Sequence, residues 1–138
     1  MTQPPPETDS LELTALLPAP PERVYRAWLD GAEHAAMTGG AASVEPGVGG
    51  RYTAWDGYIT GTTLELEPNR RIVQSWRTRQ FPRRCPDSRL EILLEPAAGG
   101  TRLTLLQTGI PKGQGKRYRS GWPENYFEPM QEYFAAHH

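Results

Sequence analysis

Gly121-Trp122-Pro123-Glu124-Asn125-Tyr126-Phe127-Glu128-Pro129-Met130-Gln131-Glu132-Tyr133-Phe134-Ala135 is the stretch that decides how this chain folds. Trp122, Tyr126, Phe127, Met130, Tyr133 and Phe134 recur at spacings of three and four, the stripe of a helix with one broad apolar face. The spacing predicts a helix from Arg119 to Ala135. Pro129 removes one backbone donor inside it, so a kink is expected between Asn125 and Pro129. So apolar a face must be covered, and the rest of the chain has to supply the cover.

The cover is read in strands. Thr101 to Gln107 places Leu103 and Leu105 on one face and Arg102 and Thr104 on the other. Ser88 to Glu95 alternates in the same way through Leu90, Ile92 and Leu94, and Ala97-Ala98-Gly99-Gly100 joins the two. Further upstream, Arg71 to Arg77 and Tyr58 to Leu66 read as strands around a turn at Glu67-Pro68-Asn69-Arg70. Arg51 to Trp55 precedes Asp56-Gly57, a dipeptide suited to a tight hairpin. Alternation with one wet face means antiparallel pairing, and short connections make a meander. The segment 79–87, with Pro82, Pro86 and three arginines, reads as a long loop.

Ahead of this sheet lies a first strand, Leu11 to Leu17. Pro21 opens a helix that runs to Leu29 and ends at Asp30-Gly31, with Val24, Ala27 and Trp28 on one face. A second short helix, Ala32 to Met37, stops at Gly39-Gly40. The expected class is therefore α+β, with a first strand, two short helices, a curved antiparallel sheet of about five strands and one long terminal helix that the sheet grips.

The whole-chain arithmetic agrees with a single domain. The chain has 138 residues, the size of one core. Its net charge is −1, which argues against binding built on phosphate neutralisation, so no nucleic-acid partner is expected. One cysteine, Cys85, excludes an internal disulfide and a cysteine-rich zinc site. No apolar run is long enough for a membrane-spanning helix, and the first residues lack a secretory pattern, so a cytoplasmic protein is expected. Residues 1–9 are expected to be a loose tail, 10–136 the domain and 137–138 its end.

Several motifs, in this order and spacing, resemble a known family. They are Pro21-Glu22-Arg23-Val24-Tyr25-Arg26-Ala27-Trp28, Met37-Thr38-Gly39, Gly49-Gly50-Arg51-Tyr52, Asp56-Gly57-Tyr58-Ile59-Thr60-Gly61, Arg71-Ile72-Val73-Gln74-Ser75-Trp76-Arg77 and Gly100-Thr101-Arg102-Leu103-Thr104-Leu105. Together with Gln107-Thr108-Gly109-Ile110-Pro111 and the stretch from Gly121 to Met130, they resemble the activators of heat-shock protein 90 ATPase, the Aha-type branch of the START-like (SRPBCC) superfamily. The resemblance implies the helix-grip fold, also called Bet v 1-like, and binding of apolar ligands between sheet and helix. It also implies a heat-shock protein 90 homologue as a possible partner, although the two-domain activators carry a separate N-terminal domain for which this chain has no room.

The cavity candidates are Trp28, Met37, Tyr52, Trp55, Trp76, Phe81, Leu105, Gln107, Trp122, Tyr126 and Met130. The same residues would serve equally as packed core, and a one-residue change of strand phase sends Trp55 or Trp76 to the other face. Gln107 shares the inward face with Leu103 and Leu105, so it needs a buried partner.

Catalytic candidates are weaker. His34 has no Ser, Cys or carboxylate at an identifiable catalytic spacing, Asp56 and Glu65 fit a turn and a wet strand face, and Cys85 fits an incidental loop thiol. No enzyme activity, metal or cofactor is expected. The arginines of 70–84, with Lys112, Lys116, Arg117 and Arg119, form a candidate basic rim for an anionic ligand head or an acidic partner surface. The expected function is binding of a small apolar or amphipathic ligand, with contact to a heat-shock protein 90 homologue as the alternative. The sequence is compatible with a monomer or a homodimer.

Overall fold

The structure, a computed structural model, describes residues 7–137. Its strands are β1 (Thr8–Leu17), β2 (Ser43–Val44), β3 (Arg51–Ala54), β4 (Ile59–Glu67), β5 (Arg71–Thr78), β6 (Ser88–Ala97) and β7 (Gly100–Pro111). Its helices are α1 (Pro21–Leu29), α2 (Gly31–Thr38), α3 (Gly115–Trp122) and α4 (Glu128–Ala136). The strands form one antiparallel sheet in the order β1-β7-β6-β5-β4-β3-β2. From β2 to β7 this is the expected meander, and β1 closes on the far edge of β7.

The inward faces follow the predicted alternation. Leu90, Ile92 and Leu94 of β6 and Leu103, Leu105 and Gln107 of β7 are buried, and so are Ile72, Gln74 and Trp76 of β5. Trp122, Tyr126, Phe127, Met130 and Phe134 close over them as one core. Two register shifts, at Asp9/Leu11 in β1 and Thr63/Glu65 in β4, bend the sheet around this cover. Gly61 in β4 is required by close approach: a Cβ there would stand 1.9 Å from the Ser75 carbonyl oxygen and 2.6 Å from the Tyr52 ring.

Several boundaries differ from the sequence reading, each for a local reason. Thr8 and Asp9, counted in the sequence reading with the segment 1–9, are paired in β1 with Pro111 and Ile110. Asp9 also accepts hydrogen bonds from the Gly113 and Gly115 N–H groups at 2.8 and 2.9 Å. The rest of that segment, 1–6, lies outside the described residues, as does position 138.

Asp30 ends α1 and also caps α2, accepting from the Glu33 N–H at 2.9 Å. The Asp56-Gly57 turn is a four-residue loop, with Ala54 paired to Ile59. Asp56 exchanges two bonds with Ala41, one from its own N–H to the Ala41 carbonyl and one from the Ala41 N–H to its carboxylate. This pins the loop to the segment after α2 and holds Trp55 and Asp56 at φ of 51° and 58°. Strand β2 has only two residues, too few for any periodicity to reveal.

The terminal helix starts at Gly115, earlier than expected, and runs through a π-helical turn, Pro123–Phe127, into α4. Pro129 offers no N–H, and its ring would crowd the carbonyl of Asn125, one α-helical turn back. The helix meets this by widening: the Glu128 N–H reaches back to the Pro123 carbonyl, while the backbone stays right-handed on both sides. The expected kink is thus a change of register rather than a break.

Candidate functional site

The sheet does not close completely on the terminal helix. Between the β3–β4 loop, β5, α3 and the π turn lies a cavity of about 370 Å³. Trp55, Tyr58 and Ile59 line it from the loop side and Trp76 from β5. Arg117, Tyr118, Gly121, Trp122, Asn125 and Tyr126 line it from the helix.

The walls are held by contacts between rings. Trp76 meets Tyr118 edge-on at 4.9 Å between centroids and lies tilted against Trp122 at 5.5 Å. Trp122 in turn packs on Tyr126 at 4.8 Å.

A buried polar network fixes these rings. The Trp122 indole N–H donates to Gln107 Oε1 at 2.9 Å, and Gln107 Nε2 donates to Ser88 Oγ at 3.0 Å. Ser88 Oγ then donates to the Trp76 carbonyl at 2.7 Å. The partner that Gln107 requires is therefore an indole of the terminal helix together with a serine of the neighbouring strand. Trp28 repeats the pattern through Gln74 Oε1 at 3.1 Å, and Gln74 Nε2 donates to Thr63 Oγ1 at 3.2 Å. The Tyr118 hydroxyl lies 2.7 Å from Thr78 Oγ1 and 2.7 Å from Gln114 Oε1. The Trp55 indole N–H is buried with no partner among the described residues.

His34 is buried under Trp28 and Tyr126. Its Nδ1 is 2.9 Å from the Trp28 carbonyl, which can only accept, so Nδ1 carries the proton. Nε2 therefore accepts from the Tyr126 hydroxyl at 2.9 Å. Burial holds the imidazole below its ordinary pKa and pushes the Tyr126 phenol up. Both groups are neutral near pH 7, and the pair fixes the cavity wall.

Of the sequence candidates, Trp55, Trp76, Trp122 and Tyr126 line the cavity. Trp28, Met37, Tyr52, Phe81, Leu105, Gln107 and Met130 do not: they are packed core. The Tyr52 hydroxyl donates to the Ser75 carbonyl at 2.7 Å, and Phe81 backs the wall edge-on to Trp76. Tyr58, Ile59, Tyr118, Gly121 and Asn125 are not among the cavity candidates of the sequence, and Arg117 is there only as part of the basic rim. Tyr118 lies one residue before the expected helix start at Arg119, which hides its spacing of four to Trp122, whereas Gly121 and Asn125 fall inside the expected helix but carry no apolar signal.

The weaker catalytic candidates stand apart. Asp56 caps its loop, Glu65 pairs with Arg71 and Arg89 on the outer sheet face, and the Cys85 carbonyl accepts from Arg77. Among the described residues no cluster of three metal-ligating side chains occurs. Nor is any described helix long and apolar enough to cross a membrane.

A helix gripped by a curved antiparallel sheet is also the fold that the comparisons with known proteins bring back. The human activator of 90 kDa heat shock protein ATPase homolog 1 is 30% identical over 115 residues, which is 83% of this chain and 34% of that protein. The chain thus spans about a third of the length of that relative. The crystal structure of an HSP90 activator from Plasmodium falciparum superposes with a TM-score of 0.83 at 25% identity, covering 91% of this chain and 96% of that one. Ara h 8.0201, at a TM-score of 0.70 and 15% identity, covering 93% of this chain and 98% of its own, shares the fold alone. The family model described as "Activator of Hsp90 ATPase homolog 1-like protein" matches residues 18–135, and the chain belongs to that family.

Proposed function

We propose that this protein is a non-enzymatic binder of a small apolar or amphipathic molecule held in the cavity between the β3–β4 loop and the terminal helix. The observation that carries the reading is the cavity itself. Its volume of about 370 Å³ lies at the small end of the range for ligand sites, about 300–1,000 Å³. Its helix-side rings, Trp122, Tyr126 and Tyr118, are fixed from behind by hydrogen bonds to Gln107, His34 and Thr78, which favours a pre-formed space over one created by ligand entry.

The test is native mass spectrometry of the protein purified from its host, beside a Gly121→Leu variant. A Cβ at Gly121 meets only the Asn125 amide at 3.5 Å, so a larger side chain is tolerated by the helix and enters the cavity. The expected result is an adduct of a few hundred daltons on the wild-type protein and none on the variant. A wild-type protein that stays bare, in host extract and with added hydrophobic compounds alike, contradicts the reading.

A second reading is contact with a heat-shock protein 90 homologue and stimulation of its ATPase. It is favoured by the near-complete cover of the Plasmodium falciparum HSP90 activator. The ATPase rate of the chaperone from the same host, with and without this protein, tests it. An increase is expected, and an unchanged rate over a saturating titration counts against it.

A further inference from the structure

The chemistry of the cavity narrows what it would hold, an inference that rests on the ligand-binding reading above. Six of the lining residues are aromatic, and Ile59 is the one aliphatic side chain with them. The branched aliphatic residues of the sheet, Ile92, Leu103 and Leu105, lie in the solid core and offer the cavity nothing. A flat ring can stack on or meet these walls edge-on and gains from that geometry beyond the area it buries, whereas a methylene chain gains from burial alone.

An aromatic box can also serve cations, through the negative faces of its rings. The charges at this mouth decide against that. Arg117 is the charged residue of the lining, it is exposed, and it makes no ion pair or side-chain hydrogen bond among the described residues. Arg79, just after β5, reaches the β3–β4 loop from the side, its backbone N–H donating to the Tyr58 carbonyl at 3.1 Å and its guanidinium to the Asp56 carbonyl at 3.4 Å. No carboxylate belongs to the lining. A guanidinium that is always charged and leaves its donors free is suited to a planar anion.

We infer that the cavity selects compact aromatic anions, two or three rings bearing a carboxylate, sulfonate or phenolate, with Arg117 setting the preference for negative charge. The rings enter between Trp76, Trp122 and Tyr118, and the anion stays at the mouth, where it keeps part of its hydration.

The test uses two dyes that share one ring skeleton. Anilinonaphthalene sulfonate carries the anion, and N-phenyl-1-naphthylamine lacks it. Fluorescence titration of the whole protein is expected to give about tenfold tighter binding of the sulfonate, the worth of one charge-assisted contact. In Arg117→Gln the ratio of the two affinities falls to near one, whereas Arg102→Gln, on β7 away from the cavity, keeps the wild-type ratio. Equal affinities in the wild type, or a ratio that survives Arg117→Gln, overturn the anion assignment. Laurate displacing the sulfonate dye with an affinity above that of the dye overturns the aromatic class. Failure of both dyes to bind is a different outcome: it removes the ligand-binding reading, and this inference with it.

Discussion

Trp28 and Trp122 each end on a glutamine, while Trp55 ends on nothing. The contrast gives an energetic ranking. Gln107 is fully buried, and replacing it by the similarly sized Leu strands the Trp122 N–H in an apolar core and takes a donor from Ser88 Oγ, which keeps its own bond to the Trp76 carbonyl. Gln107→Leu is expected to cost about 1–3 kcal/mol in urea unfolding. Trp55→Phe removes a donor that had no partner, so its cost is smaller. Equal losses in the two variants contradict this assignment.

His34 makes the second prediction at this scale. Its folded-state pKa lies below the ordinary 6.5, because burial disfavours the imidazolium. The unfolded chain therefore binds the proton more readily, and stability rises with pH. The contribution of His34 is present above 6.5 and is lost as pH falls through the depressed folded value. Unfolding measured between about pH 7.5 and 5 should show this loss, and His34→Gln should flatten it. A slope unchanged by the substitution contradicts it.

At the scale of elements, the terminal helix was legible because its rings repeat at the helical period. Its first turn was not, since Gly115-Lys116-Arg117 carries no apolar stripe before Tyr118. The π turn was half legible: Pro129 located the disturbance, but proline chemistry alone does not choose between a bend and a widened turn. The strands of the meander were legible from alternation and their turns from Gly, Pro and Asn. The β3–β4 loop was misread because its geometry is set by Ala41, fifteen residues upstream of Asp56. Glycines separate structural from spare positions. Gly121→Ala adds a methyl to a helical glycine where it makes only an ordinary contact, 3.5 Å to the Asn125 amide, and should raise stability by about 0.5–1 kcal/mol. Gly61→Ala pushes a methyl into the Ser75 carbonyl and should lower it. Thermal unfolding of both variants checks the pair, and a shift of the same sign in each contradicts the account.

At the scale of the whole molecule, the fold and family were legible because ordered motifs run from Pro21 to Met130. The site was legible only in part. The sequence marks which side chains are apolar, but the boundary between core and cavity depends on where the sheet stops closing. That boundary falls between Trp76, which faces the space, and Leu105 and Met130, which do not. Arg117 was visible only as one member of a general basic rim.

The four indole N–H groups offer the most direct test of the claim that a ligand sits in this space. Trp55, Trp76 and Trp122 line the cavity, whereas Trp28 lies behind it. In a titration with anilinonaphthalene sulfonate followed by proton–nitrogen NMR, the first three indole signals should move and Trp28 should move least. A Trp28 signal that moves as far as the others, or three cavity signals that stay still while dye binds, would contradict the account.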